Sequence, residues 1–193
     1  MKKILFTIMV FLMSMTSFSQ TESPHLSFKG VPIDGTLNEF LLKMKQKGFV
    51  SQGIQDGVAL LEGDFAGYKG CTIGVSTLKQ KDLVCKIVVI FPKLETWSQL
   101  TTNYFNLKEM LTVKYGEPSY VIEKFDGYEP SDDGSKMSSV KLDHCKYYTT
   151  FETARGTIQL NIGHESVYSC FVVLSYFDKI NGDVIRAQAI DDL

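Results

Sequence analysis

The 193-residue chain lacks most of the short patterns by which chemistry announces itself. It contains no Gly-x-x-x-x-Gly-Lys loop to cradle phosphates, no Gly-x-Ser-x-Gly elbow and no dinucleotide-binding glycine pattern, which leaves ordinary nucleotide and serine-hydrolase chemistry without a signature. Its four cysteines include no C-x-x-C pair, so neither a zinc knuckle nor a thioredoxin-like redox pair is indicated. Histidine is scarce: His25, His144 and His164 stand alone, with no i, i+4 partner to make a helical metal pair. Basic excess is missing too, with 20 Lys plus Arg against 22 Asp plus Glu, so the electrostatic footprint expected of a nucleic-acid binder is not there. Cofactors are likewise not called for by any pattern in the chain.

No apolar run reaches the ~20 residues that a membrane-crossing helix needs. The nearest approach is Ile4 to Met13, preceded by Lys2 and Lys3 and softened by Ser14, Thr16 and Ser17. That order of basic, apolar and small residues is the layout of a secretory signal, with Ser17 and Ser19 placed for cleavage near Ser19/Gln20. The expectation is a signal peptide over residues 1–19 and an exported protein, periplasmic or secreted, with no permanent membrane anchor. Without those residues 174 of 193 remain and the net charge goes from -2 to -4, because Lys2 and Lys3 leave. Such a length suits one domain better than two.

The remaining chain is rich in periodicity. Thr36-Leu37-Asn38-Glu39 has the spacing of a capping box. Leu37, Phe40, Leu41 and Met44 follow at helical spacing, and Gly48 is placed to end the helix in a left-handed conformation. Thr96-Trp97-Ser98-Gln99 repeats the recipe ahead of an apolar stripe of Trp97, Leu100, Tyr104, Leu107 and Leu111, closed by Gly116 and Pro118. After each helix the period drops to two. Val58 to Phe65, Cys71 to Ser76 and Leu83 to Phe91 read as strands in the first half, with Lys79 to Asp82 as a turn. Ser119 to Phe125, Tyr147 to Thr153, Ile158 to Gly163 and Tyr168 to Tyr176 do so in the second.

The pattern predicts an α+β fold built from tandem helix-plus-antiparallel-meander repeats, about 26–92 and 96–178, with a tail at 179–193. The helices are expected on one face of a twisted antiparallel sheet. Asp126 to Asp143, rich in Asp, Ser and Gly, reads as an exposed loop inserted in the second copy. Cys71, Cys85, Cys145 and Cys170 all point to the apolar side. Strand geometry separates Cys71 from Cys85 by ~16 Å and makes that bridge poor; buried thiols and a bond between the two repeats both stay open.

Few residues qualify for chemistry. Glu62 and Asp64, two apart on one strand, could act as paired acid and base, and His144 lies in the only crowding of acid, imidazole and thiol, Asp143-His144-Cys145. Asp126, Asp132 and Asp133 belong to an acidic loop of the kind that hard cations accept, without the spacing of an EF-hand. The segments Gly30 to Thr36, Phe65-Ala66-Gly67-Tyr68 and Lys114-Tyr115-Gly116-Glu117-Pro118 together resemble a group of exported proteins of Bacteroides-type bacteria, a resemblance that carries no activity and no site residues with it. The layout is also similar to that of the β-lactamase inhibitory proteins and the TATA-binding-protein-like saddle. A non-enzymatic binding module for a protein or small-molecule ligand is the leading expectation, ahead of an envelope hydrolase and a structural part of an envelope assembly.

Overall fold

Thr36 begins the first helix as the spacing predicts: its hydroxyl accepts from the Glu39 amide while the Glu39 carboxylate accepts from the Thr36 amide. These reciprocal bonds satisfy two amides that a helix start otherwise leaves unpaired. The helix α1 spans Leu37–Gln46, buries Phe40 and Met44, and ends where Gly48 takes a φ of +91°. A computed structural model provides the coordinates and describes residues 23–78, 81–165 and 169–191. The expected signal segment and its expected cleavage point, part of the Lys79 to Asp82 turn, and Tyr168 lie outside the described residues.

A short hairpin, β1 (Ser27–Phe28) and β2 (Val31–Pro32), precedes α1. After it come β3 (Val50–Gln55), β4 (Val58–Phe65), β5 (Tyr68–Leu78) and β6 (Leu83–Ile90), then α2 (Trp97–Tyr115), β7 (Tyr120–Phe125) and α3 (Asp133–Lys141). The chain continues with β8 (Cys145–Thr153), β9 (Gly156–Glu165), β10 (Ser169–Asp178) and α4 (Lys179–Asp191). Eight strands form one antiparallel sheet in the order β3-β4-β5-β6-β10-β9-β8-β7. Its two four-strand runs meet at β6 and β10, whose register runs from Val173 opposite Ile90 to Phe177 opposite Lys86.

Alternation decides which side is dry. Ala59, Leu61, Cys71, Ile73, Val75, Ile87, Val89, Ile158, Leu160, Val172, Leu174 and Tyr176 project to one face and are buried there. On them sit Phe40 and Met44 of α1 and the whole expected stripe of α2, Trp97, Leu100, Tyr104, Leu107 and Leu111. The hairpin joins the same layer through Phe28, whose ring lies 5.0 Å from Phe65, 5.5 Å from Tyr176 and 6.1 Å from Phe49. No helix among the described residues is long and apolar enough to cross a membrane.

Three segments differ from the sequence-based expectation. The acidic stretch 126–143 is not simply an exposed loop: α3 lies within it and buries Met137 and Val140 against the core. The tail 179–193 is helical over Lys179–Asp191. The strand β3, exposed along its whole length, went unread, because a strand with no buried side chain and a glycine in its middle gives no alternation to read. The four cysteines are free thiols, three buried and Cys145 half-buried.

Candidate functional site

The residues singled out for chemistry do not come together in one site. Glu62 lies on β4 and accepts from the Gln52 side chain at 3.0 Å; Asp64 accepts from the Gly70 amide at 3.2 Å across the β4–β5 hairpin. Both line a shallow cavity of about 570 Å³ with Lys29 and Lys47. His144 stands just ahead of β8, and since β4 and β8 are five places apart in the sheet, the ~4.8 Å strand spacing separates them by about 24 Å. His144 therefore shares no site with Glu62 and Asp64.

His144 has no thiol partner either. Its Nδ1 faces Asp126 at 3.7 Å, while Asp143 pairs with His164 at 3.1 Å. Burial, followed by the charges of Glu129 and Asp126, pushes the Cys145 thiol up to about 12, so it is not the thiolate that nucleophilic chemistry needs. Burial likewise raises Cys71 to about 11.

The acidic segment has structural employment. Asp132 caps α3, accepting from the Ser135 amide at 2.8 Å, and these hydrogen bonds hold its carboxyl below the usual range. Asp133 reaches back to the start of α2, accepting from the Trp97 amide at 2.8 Å and the Ser98 amide at 3.0 Å. Asp126 lies with His144. Among the described residues no group of three or more His, Cys, Asp or Glu side chains is arranged to hold a metal ion.

A polar cluster that the sequence reading missed lies at the other end of the sheet. The buried Asp178 carboxylate accepts from the Leu26 amide at 2.8 Å and the Asn181 amide at 2.9 Å, with His25 Nδ1 at 3.0 Å. The other His25 nitrogen faces Asp34 at 3.4 Å. The Asn181 amide group donates to the carbonyls of Ile33 at 3.0 Å and Val84 at 2.8 Å. These contacts join the N-terminal hairpin, β6 and the start of α4, with Asp178 as the helix cap. With the Asp178 oxygens already taken by two amides and a ring, the cluster reads as a tie between elements. Apart from the cap between Asp178 and Asn181, its partners are 97 to 153 residues apart, so no local signal could have found the tie.

The feature with most to offer a ligand is the face of the sheet opposite the core. One row crosses seven strands in register: Leu60, Gly74, Val88, Ser175, Gln159, Thr150 and Tyr120. The next row is Glu62, Thr72, Ile90, Val173, Asn161, Tyr148 and Ile122. Leu60, Val88, Ile90, Val173, Tyr148 and Ile122 are half-buried, while the described helices α1 and α2 bury their apolar stripes on the opposite face. Each row is about 29 Å long at ~4.8 Å per strand.

This face is poor in charge where it is broadest. On β6, β10 and β9 its described charged side chains are Lys86, whose ammonium lies 4.8 Å from the Phe177 ring centroid, and Glu165, paired with Lys93 at 2.8 Å. The remainder are Thr, Ser, Gly, Gln, Asn, Val, Ile and Phe. At the β7–β8 end the rings of Tyr120 and Tyr148 meet edge to face at 6.3 Å. Such a surface offers dispersion, hydroxyl and amide hydrogen bonds, and aromatic area, with little desolvation of charge to oppose binding. Comparison with protein-family models, with curated proteins and with solved structures gave no match to this chain.

Proposed function

We propose that this is a non-enzymatic binding module, exported after cleavage near Ser19/Gln20 to the periplasm or the cell exterior, whose uncovered sheet face receives a protein partner. The observation that carries the reading is the composition of that face: rows of half-buried aliphatic, aromatic and amide side chains, with charge at its margins. Large contiguous surfaces of this kind on soluble proteins mark interaction sites more often than bare solvent boundaries. In this reading the two halves, α1 with β3 to β6 and α2 with β7 to β10, are copies of one helix-plus-meander unit. The ordering of strands, with β6 and β10 paired and β3 and β7 at the edges, supports it. Two copies joined through their last strands make one wide surface from two narrow ones. The likeness to exported proteins of Bacteroides-type bacteria agrees with the proposed compartment.

Photocrosslinking tests the assignment. A benzophenone side chain is placed at Val88 or Val173 on the open face and, as the control, at Val113, which is 85% exposed on α2. The expected outcome with envelope extract is a discrete adduct from the first two positions and none from the third. Equal labelling at all three positions, or no adduct from any, would end the proposal.

A further inference from the structure

A second surface, distinct from the open face, is formed by α1 and the edge strand β3. Between them runs a groove of about 680 Å³ whose middle is apolar, with Leu41 and Leu42 on the helix and Phe49 and Leu61 at the base. The outer edge of β3 pairs with no described strand. Edges are commonly protected by charge or proline, yet Val50-Ser51-Gln52-Gly53-Ile54-Gln55 has neither, and Val50 and Ile54 are 62% and 67% exposed. A bulge between Ser51 and Gly53 is its one irregularity.

Charge divides the groove by end. Where α1 gives way to Gly48, Lys45 lines it, and Lys47 and Lys29 line the adjoining cavity. Two carboxylates share that cavity, Glu62 and Asp64, and both already accept hydrogen bonds, from Gln52 and from Gly70. The opposite end offers the uncharged Asn38. At the Gly48 end three ammonium groups, Lys29, Lys45 and Lys47, face those two carboxylates, which leaves that end net positive. An anionic group suits that net positive end better than a cationic one.

We propose that this groove docks an extended protein segment, apolar at alternate positions and ending in a carboxylate, which adds to β3 as a ninth, antiparallel strand. Main-chain hydrogen bonds to β3 supply affinity, and the side chains that point into the groove supply selectivity, as in other strand additions. Running antiparallel to β3 puts the C-terminal end of the segment over Lys45 and Lys47. The carboxylate could be a chain terminus or an Asp or Glu side chain.

Three probes separate these sources: acetyl-Thr-Val-Thr-Ile-Val with a free carboxylate, the same peptide amidated, and an amidated version ending in Glu. Each is titrated into the 193-residue chain, with amide NMR shifts as the readout. The free acid or the Glu peptide is expected to bind about tenfold more tightly than the plain amide, the Coulombic gain of a partly screened pair. Shifts should centre on Val50, Ser51 and Ile54. Lys45→Gln should remove that preference while leaving the plain amide unchanged, and Leu42→Glu, at a 63% exposed position, should weaken all three probes. Equal binding of acid and amide, shifts centred on Val88 and Val173, or no binding would overturn the proposal. So would a concentration-dependent dimer, seen by sedimentation, that Ile54→Lys abolishes. None of these results counts against the open-face reading, and shifts centred on Val88 and Val173 would favour it.

Discussion

At the scale of single residues, buried thiols and phenols set the chemistry. Cys71, Cys85, Cys145 and Cys170 are all shifted upward by burial, as are Tyr68, Tyr104, Tyr147 and Tyr176. For Cys145 the value rises from 9.0 to about 12. A folded-state value above the unfolded one means that the folded chain holds its proton longer. The stabilisation is complete below the unfolded value and is lost as pH rises through the folded one. Stability should therefore fall progressively between pH 9 and about 12 in Cys145, measured as urea midpoints across that window; Cys145→Ser, with its hydroxyl unionised throughout, should flatten the early part of the decline. A midpoint that stays level or rises over this window would contradict the assigned burial. None of this could be read from spacing, which placed the thiols on the apolar side but left bridged and free states open.

At the scale of elements, what was legible follows from how each segment earns its place in the core. The helices α1 and α2 have hydroxyl caps and full apolar stripes, and were found. So were β4 to β10, most of them by an alternation that reports a dry face, although β6 is apolar on nearly both sides and β7 alternates less cleanly. The helix α3 buries only Met137 and Val140, and its Asp, Ser and Gly residues resemble those of a turn. The capping by Asp133 belongs to this scale. Its carboxylate bonds two amides of a different helix, α2, at 2.8 and 3.0 Å, so it docks α3 as well as finishing α2. Asp133→Ala should lower stability by about 1 kcal/mol, the usual cost of losing a helix cap, while Asp126→Ala should change the thermal midpoint little. A large midpoint increase on adding Ca²⁺ to the unsubstituted protein would show that these acids are metal ligands after all.

At the scale of the whole molecule, β6 and β10 hold the halves together. Their register supplies five residue pairs, and Leu174, Tyr176, Ile87 and Val89 carry one apolar layer across the seam. A continuous core should unfold as a unit. Leu174→Ala should cost about 2–5 kcal/mol, the range for a buried leucine truncation, and should shift the denaturation curves of Trp97 fluorescence and far-UV circular dichroism together. Curves that separate, with the second half melting first, would mean that the seam does not couple the halves. The sheet order across this seam was only partly foreseeable. Two meanders could be read from the sequence, but which strands join them depends on contacts between positions some 85 residues apart.

The tie at Asp178 bears on how the protein comes into being. Leu26 and His25, at the start of the described chain, find their carboxylate 152 and 153 residues later, and Val84 waits for Asn181. A ribosome delivers those partners long after the segments that they hold. Until they emerge, the opening hairpin has no latch and β6 lacks β10 as its neighbour, so the sheet closes across its middle only after Asp178 and Asn181 have been made.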